Sequence, residues 1–118
     1  MAEPFESFFE EIEEKGHHFS SVLFKLSNAV LVFFYEGGSV KLGTLAVAMP
    51  QFEGGACISS ILLGERNMNV TKILAERVSN ASKGIVLVST HLAEVREIEV
   101  SSVLFKLTQK ILEKASFK

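Results

Sequence analysis

The order of apolar and polar positions divides the chain into stretches of helical and of pleated-strand period. Phe5, Phe8, Phe9 and Ile12 recur at i, i+3, i+4 and i+7 with glutamates between them. That spacing predicts a short amphipathic N-terminal helix, ended by Gly16. His18 to Leu26 alternates loosely and predicts a strand, and Ser27-Asn28 a turn. Ala29 to Tyr35, AVLVFFY, is a continuous apolar strand that needs cover on both faces. Glu36-Gly37-Gly38-Ser39 predicts a hairpin whose flanking strands pair antiparallel. Val40 to Met49 and Cys57 to Leu63 follow as strands, joined through Pro50 and Gly54-Gly55. Connections this short hold no parallel crossover, so this half reads as an antiparallel meander.

Within Val40 to Met49, the large Leu45, Val47 and Met49 alternate with Ala46 and Ala48. The small face invites close packing by a helix or by another chain. Asn69 is the expected N-cap of a helix whose apolar stripe is Val70, Ile73, Leu74 and Val78, ending near Ser82 with Gly84 beyond. Ile85 to Ser89 is a further buried strand, free to pair in either sense. A last helix, from about Val95 to Ala115, buries Ile98, Val103, Leu104, Leu107, Ile111 and Leu112. The expected fold class is α+β: a five- to six-stranded, mainly antiparallel sheet, a meander or one folded toward a sandwich, with an N-terminal, a middle and a long C-terminal helix. Residues 1–16 stand as an acidic, Phe-rich helix or arm, and 17–118 as a single α/β domain.

One heptapeptide, SSVLFKL, occurs twice, at Ser20–Leu26 and Ser101–Leu107. The first copy runs into a β-rich stretch and the second into LTQKILEK at helical spacing. Flanking period and burial override propensity, so the copies are expected as strand and helix respectively.

Charge changes the picture at the N-terminus. Six glutamates precede the first basic residue, Lys15, whereas from Lys15 onward twelve Lys or Arg outnumber eight Glu. A mildly basic body with an acidic arm does not suit nucleic acid, because the arm competes with phosphate. There is no aspartate in the 118 residues, which disfavours Mg²⁺-dependent phosphoryl transfer. Lys106, Lys110 and Lys114 form a basic stripe one helical turn apart. It reads as a solvated face, or as a site for an acidic partner.

Candidate chemistry is sparse. His17 and His18 are adjacent and point to opposite faces of a strand, and His91 is distant in sequence, so they read as surface or edge histidines rather than a metal set. Cys57 opens an apolar strand without a catalytic signature and reads as a small hydrophobe. No phosphate-binding, dinucleotide, nucleophile-elbow or zinc spacing occurs. The expectation is a non-enzyme without cofactor or metal. No apolar run is long enough to span a bilayer. The N-terminus shows no secretory pattern and the one cysteine has no partner, so the expected location is cytoplasmic. Two apolar strands needing cover on both faces predict an oligomer.

The block Leu45-Ala46-Val47-Ala48-Met49, followed by Ile58-Ser59-Ser60-Ile61-Leu62-Leu63-Gly64, resembles the proteasome assembly chaperone 4 family, as an archaeal-type or distant member. The later helix with Leu74-Ala75-Glu76-Arg77, the strand Ile85–Ser89 and the long C-terminal helix keep the family's order over residues 18–115. The resemblance implies a non-catalytic α/β protein that associates with itself or with a related chain and binds α-type subunits of the 20S proteasome. The segment 1–16 lies outside it. Ala115-Ser116-Phe117-Lys118 lacks the hydrophobic-Tyr-any ending by which other proteasome-docking proteins enter α-ring pockets, so docking through the tail is not expected. The partner-binding candidates are Ala46 and Ala48 on the small strand face, the loop Gly64, Glu65, Arg66, Asn67 and Met68, and Phe5, Phe8 and Phe9 of the arm. The alternative is a roadblock- or longin-like scaffold domain. A helix between the Ala29–Tyr35 and Val40–Met49 strands would favour it, but Gly37-Gly38 stands there.

Overall fold

A computed structural model describes residues 5–50, 57–93 and 97–117, with the backbone alone of 97–99. Among the described residues, six strands and two helices follow in the order β1 (Glu6–Glu14), β2 (His17–Lys25), β3 (Ala29–Glu36), β4 (Thr44–Met49), β5 (Ile58–Leu63), α1 (Met68–Ser82), β6 (Ile85–His91) and α2 (Glu97–Lys114). The strands form one sheet in the order β1-β2-β3-β6-β4-β5. The Gly54-Gly55 turn, Val95 and the side chain of Ile98 lie outside the described residues.

The expected N-terminal helix is a strand. Residues i and i+4 share a face in either conformation, so Phe8 and Ile12 do not discriminate by spacing. Pairing decides. Phe8 lies opposite Leu23 and Ile12 opposite Phe19 of β2, and both pack against the core. Lys15 and Gly16 have φ of 53° and 80°, the two left-handed residues of the tight hairpin that suits twisted strands. Gly16 therefore ends the element as expected, by reversing it.

The sheet topology also differs from the expected meander. β3 and β4 do not pair across Gly37-Gly38. β6 lies between them, parallel to β3 and antiparallel to β4. The sheet is therefore mixed, with antiparallel pairs β1–β2, β2–β3, β4–β5 and β4–β6. Gly43 allows the 37–43 connection to reach β4 past the end of β6. Its N–H donates to Ser89 Oγ at 2.8 Å, and a Cβ there would sit 2.1 Å from the Thr90 carbonyl oxygen. Only glycine fits such an approach.

Both helices lie on one side of the sheet, α1 mainly over β4 and β6, α2 over β1 and β2. Leu23, Val32, Phe34, Val86 and Val88 from the strands meet Leu74, Val78, Leu104, Leu107 and Ile111 from the helices, all fully buried. The buried hydroxyls of Thr71, Ser79 and Thr108 donate to nearby carbonyls, at Asn67, Gly84 and Leu104 respectively, so their burial costs little. The expected α1 stripe holds except at Ile73, which is 48% exposed. α2 ends in a Schellman arrangement: Ser116 is left-handed at φ 67°, its N–H donates to Glu113 O, and the Phe117 N–H donates to Leu112 O.

The two SSVLFKL copies fold differently, the first within β2 and the second within α2. The lysine stripe of α2 meets an acidic partner within the same chain. Lys106 pairs with Glu14 at 3.6 Å, and Lys110 and Lys114 both pair with Glu10 at 3.7 Å. Lys114 also donates to the Phe9 carbonyl at 2.8 Å. The glutamates at alternate β1 positions thus face α2 and bind this edge strand to the domain.

Candidate protein interface

Strand alternation and register assign each side chain to a face. Toward the helices point Phe8, Leu23, Val32, Ala46, Ile61 and Val88. On the other face stand Val22, Phe24, Leu31, Phe33, Leu45, Val47 and Leu87, each half-buried by its neighbours in the sheet alone. Phe9, Met49, Ile58, Leu63 and Ile85 extend this surface and are exposed. No helix among the described residues covers it.

Its aromatic side chains are ordered by one another. The Phe5 ring meets Phe24 edge-on, with centroids 5.4 Å apart and planes at 77°. Phe24 meets Phe33 the same way, at 6.2 Å and 85°. Edge-to-face pairs satisfy the ring quadrupoles and hold the rings in place. Along the described strands, this face carries glutamates only at Glu11 and Glu13, beside the β1 edge, and no Lys or Arg. His18 pairs with Glu11 at 2.7 Å on this side. His17, on the opposite side, pairs with Glu36 at 3.0 Å, and Glu36 accepts from the Ala93 N–H. The two histidines thus diverge as a strand requires.

The expected partner residues are dispersed. Ala46 and Ala48 are 0% and 1% exposed beneath α1, so a helix takes the close approach their small side chains allow. Phe8 packs inward, whereas Phe5 and Phe9 lie on the open face. Gly64, Glu65, Arg66 and Met68 are exposed at one end of the sheet, with Asn67 half-buried. There Thr44 Oγ1 donates to the Arg66 carbonyl, and Asn67 takes a left-handed φ of 59° without capping α1 through its side chain. Gly64 to Asn67 of this loop, with Thr44, Thr90, His91 and Leu92, border a cleft of about 210 Å³. The face itself was signalled by AVLVFFY, whose length demands two covered sides; the contribution of β1 and β4 to it was not.

Among the described residues no three His, Cys or Glu side chains gather as a metal site. The Cys57 sulfur lies 3.5 Å from Asn80 Oδ1. No described helix is long and apolar enough to cross a membrane.

No protein-family model matches the chain, and no curated protein matches it in sequence. Among solved structures, a chain from the crystal structure of a novel chaperone complex for yeast 20S proteasome assembly superposes with a TM-score of 0.73 at 11% identity. The superposition covers 97% of each chain. The two chains share a fold. At that identity the likeness concerns architecture: a mixed sheet with its helices on one side.

Proposed function

We propose that the chain is a non-catalytic, oligomeric protein-binding module of the proteasome-assembly-chaperone type. Its open sheet face receives a second chain of the same or related fold, and the pair binds proteasome α-type subunits. The helix-free face carries this reading. Monomeric proteins seldom leave so continuous an apolar surface in water, and an apolar centre with a polar rim is the usual anatomy of a protein interface. The likeness to a proteasome-assembly chaperone supports the choice of partner class, as does the LAVAM…ISSILLG block. The scaffold alternative gains nothing from residues 37–43, which contain no helix.

The Gly64–Met68 loop is the proposed contact for an α-type subunit, because it is exposed at the end of the sheet and leaves the open face to the second chain. The chain is expected to work in the cytoplasm.

The test uses the purified chain with recombinant α-type subunits of its own proteasome, read by native mass spectrometry. The wild type is expected to form an oligomer and to bind at least one α subunit. Phe33→Glu, at the centre of the face, is expected to weaken chain–chain association about 30-fold or more, in the range of a central interface residue. Arg66→Glu should weaken α-subunit binding alone. A monomeric wild type that ignores every α subunit would sink the proposal.

A further inference from the structure

Both edges of the sheet are built differently, and the difference points to a second interface. β1 is protected by five glutamates in nine residues. β5, Ile-Ser-Ser-Ile-Leu-Leu, has no charge and no proline. Its inner side pairs with β4, and among the described residues nothing pairs with its outer side. An unprotected edge of this kind is a template for another strand, and folded proteins usually blunt it. The one irregularity, a register shift where Ala46 faces Ile61 and Leu45 faces Leu63, is confined to the C-terminal end and leaves Ile58–Ile61 regular.

The surroundings of the edge are apolar as well. Ile58 is 50% and Leu62 54% exposed. Ser59 Oγ donates to Glu76, and Cys57 Sγ approaches Asn80, so one side of α1 reaches over β5. Ile73 stands one turn before Glu76 on that side, which accounts for a large aliphatic residue left in water on an otherwise well-buried stripe.

We infer that β5 pairs antiparallel with β5 of a second copy about a two-fold axis at Ser60. A second copy is the occupant, because β5 set against itself meets no charge and no proline. In this register Ser60 faces Ser60 of the second copy, Ser59 faces its Ile61, and Ile58 faces its Leu62. Within the paired strands no charge opposes a charge, and the Ile73 side chains of both copies, one turn from Glu76, cover the seam. The equivalent pairing of β1 about Glu10 would set Glu10 against Glu10 and Glu6 against Glu14, which like-charge repulsion forbids. The pairing doubles the sheet sideways and joins the open faces of two copies into one surface. It is independent of what covers that surface.

Engineered cysteines test this. Directly opposed residues of an antiparallel pair have Cα atoms about 4.5–5.5 Å apart, within disulfide reach. In a Cys57→Ser background, Ser60→Cys is expected to give a disulfide-linked dimer as the main product under mild oxidation. Leu63→Cys, exposed on the same strand but off the axis, is expected to cross-link at least tenfold more slowly. Ser60→Lys, which places two ammonium groups on the axis, should halve the particle mass in light scattering while leaving the circular dichroism spectrum unchanged. Phe33→Glu added to the Ser60→Cys chain should leave cross-linking intact, which separates this interface from the open face. Equal cross-linking at positions 60 and 63, or a mass unaffected by Ser60→Lys, overturns the inference.

Discussion

Lys25 and Lys106 occupy the same position in the two SSVLFKL copies, yet the structure assigns them unequal work. The Lys25 Nζ donates to the Ala115 carbonyl at 3.1 Å and lies 4.6 Å from the centroid of the Phe117 ring. It thus places a cation on a carbonyl at the C-terminal end of α2. A hydrogen bond from a charged donor contributes about 1.5–3 kcal/mol, the helix end about 0.3–1 kcal/mol and the ring about 0.5–1 kcal/mol. One ammonium serves all three, so they overlap, and the substitution Lys25→Met, which keeps the stem, is expected to cost about 2 kcal/mol. Lys106 is 64% exposed and reaches Glu14 at 3.6 Å. Lys106→Met is expected to cost about 0.5 kcal/mol or less, as surface pairs do. Urea unfolding followed by far-ultraviolet circular dichroism measures both. With a slope of about 2 kcal/mol per molar, Lys25→Met should lower the midpoint by about 1 M and Lys106→Met by about 0.25 M or less. In a Phe117→Leu background, the Lys25 effect should shrink by about 0.5–1 kcal/mol. Equal losses at the two lysines would refute the reasoning, because the heptapeptide is the same and the two lysines differ in the element that holds them and in their tertiary partners.

The ion pairs that bind β1 to α2 should be sensitive to salt. Lys110→Glu is expected to speed amide exchange in β1 several-fold at low ionic strength, Glu10→Lys in the same chain should restore part of the protection, and 1 M salt should mute both effects. Gly43→Ala drives a methyl group into the Thr90 carbonyl and should cost about 3 kcal/mol, the upper range for overpacking, seen as a fall in thermal midpoint. Leu104→Ala removes a fully buried side chain and should cost about 2–5 kcal/mol by denaturant unfolding.

Elements set by local period were legible before their packing was known. β2, β3, β6, α1 and α2 fall close to their expected bounds, and the duplicated heptapeptide divides into strand and helix because its flanks differ. What was not legible depends on contacts distant along the chain. Phe8 and Ile12 suit a helix and a strand equally, and only Leu23 and Phe19 opposite them settle the matter. The lysine stripe was visible at its helical spacing, but its partners, Glu10 and Glu14, lie some hundred residues earlier. Gly37-Gly38 gives a local hairpin signal, overruled because β6 has both a parallel neighbour to satisfy and an antiparallel one. The open face follows the same logic. AVLVFFY announced a strand that needs cover on both faces, whereas the rings of Phe5 and Phe24 join its open side only through pairing. Ala46 and Ala48 show the converse: small size marks a close approach, and packing assigned that approach to α1.

The position of β6 has a consequence for how the chain reaches its native state. The segment Glu6–Glu36 can form a three-stranded sheet from neighbouring hairpins alone, and Thr44–Ser82 can form a hairpin with a helix across it. Neither unit can join the other until Ile85–His91 enters between β3 and β4. During synthesis both units emerge before that strand, each with an apolar edge waiting for it. Closing contacts so distant in sequence is slow, and waiting edges are where chains associate wrongly. Refolding should therefore be limited by insertion of β6, with the two units formed early and the central strand protected last. Folding yield should fall as protein concentration rises.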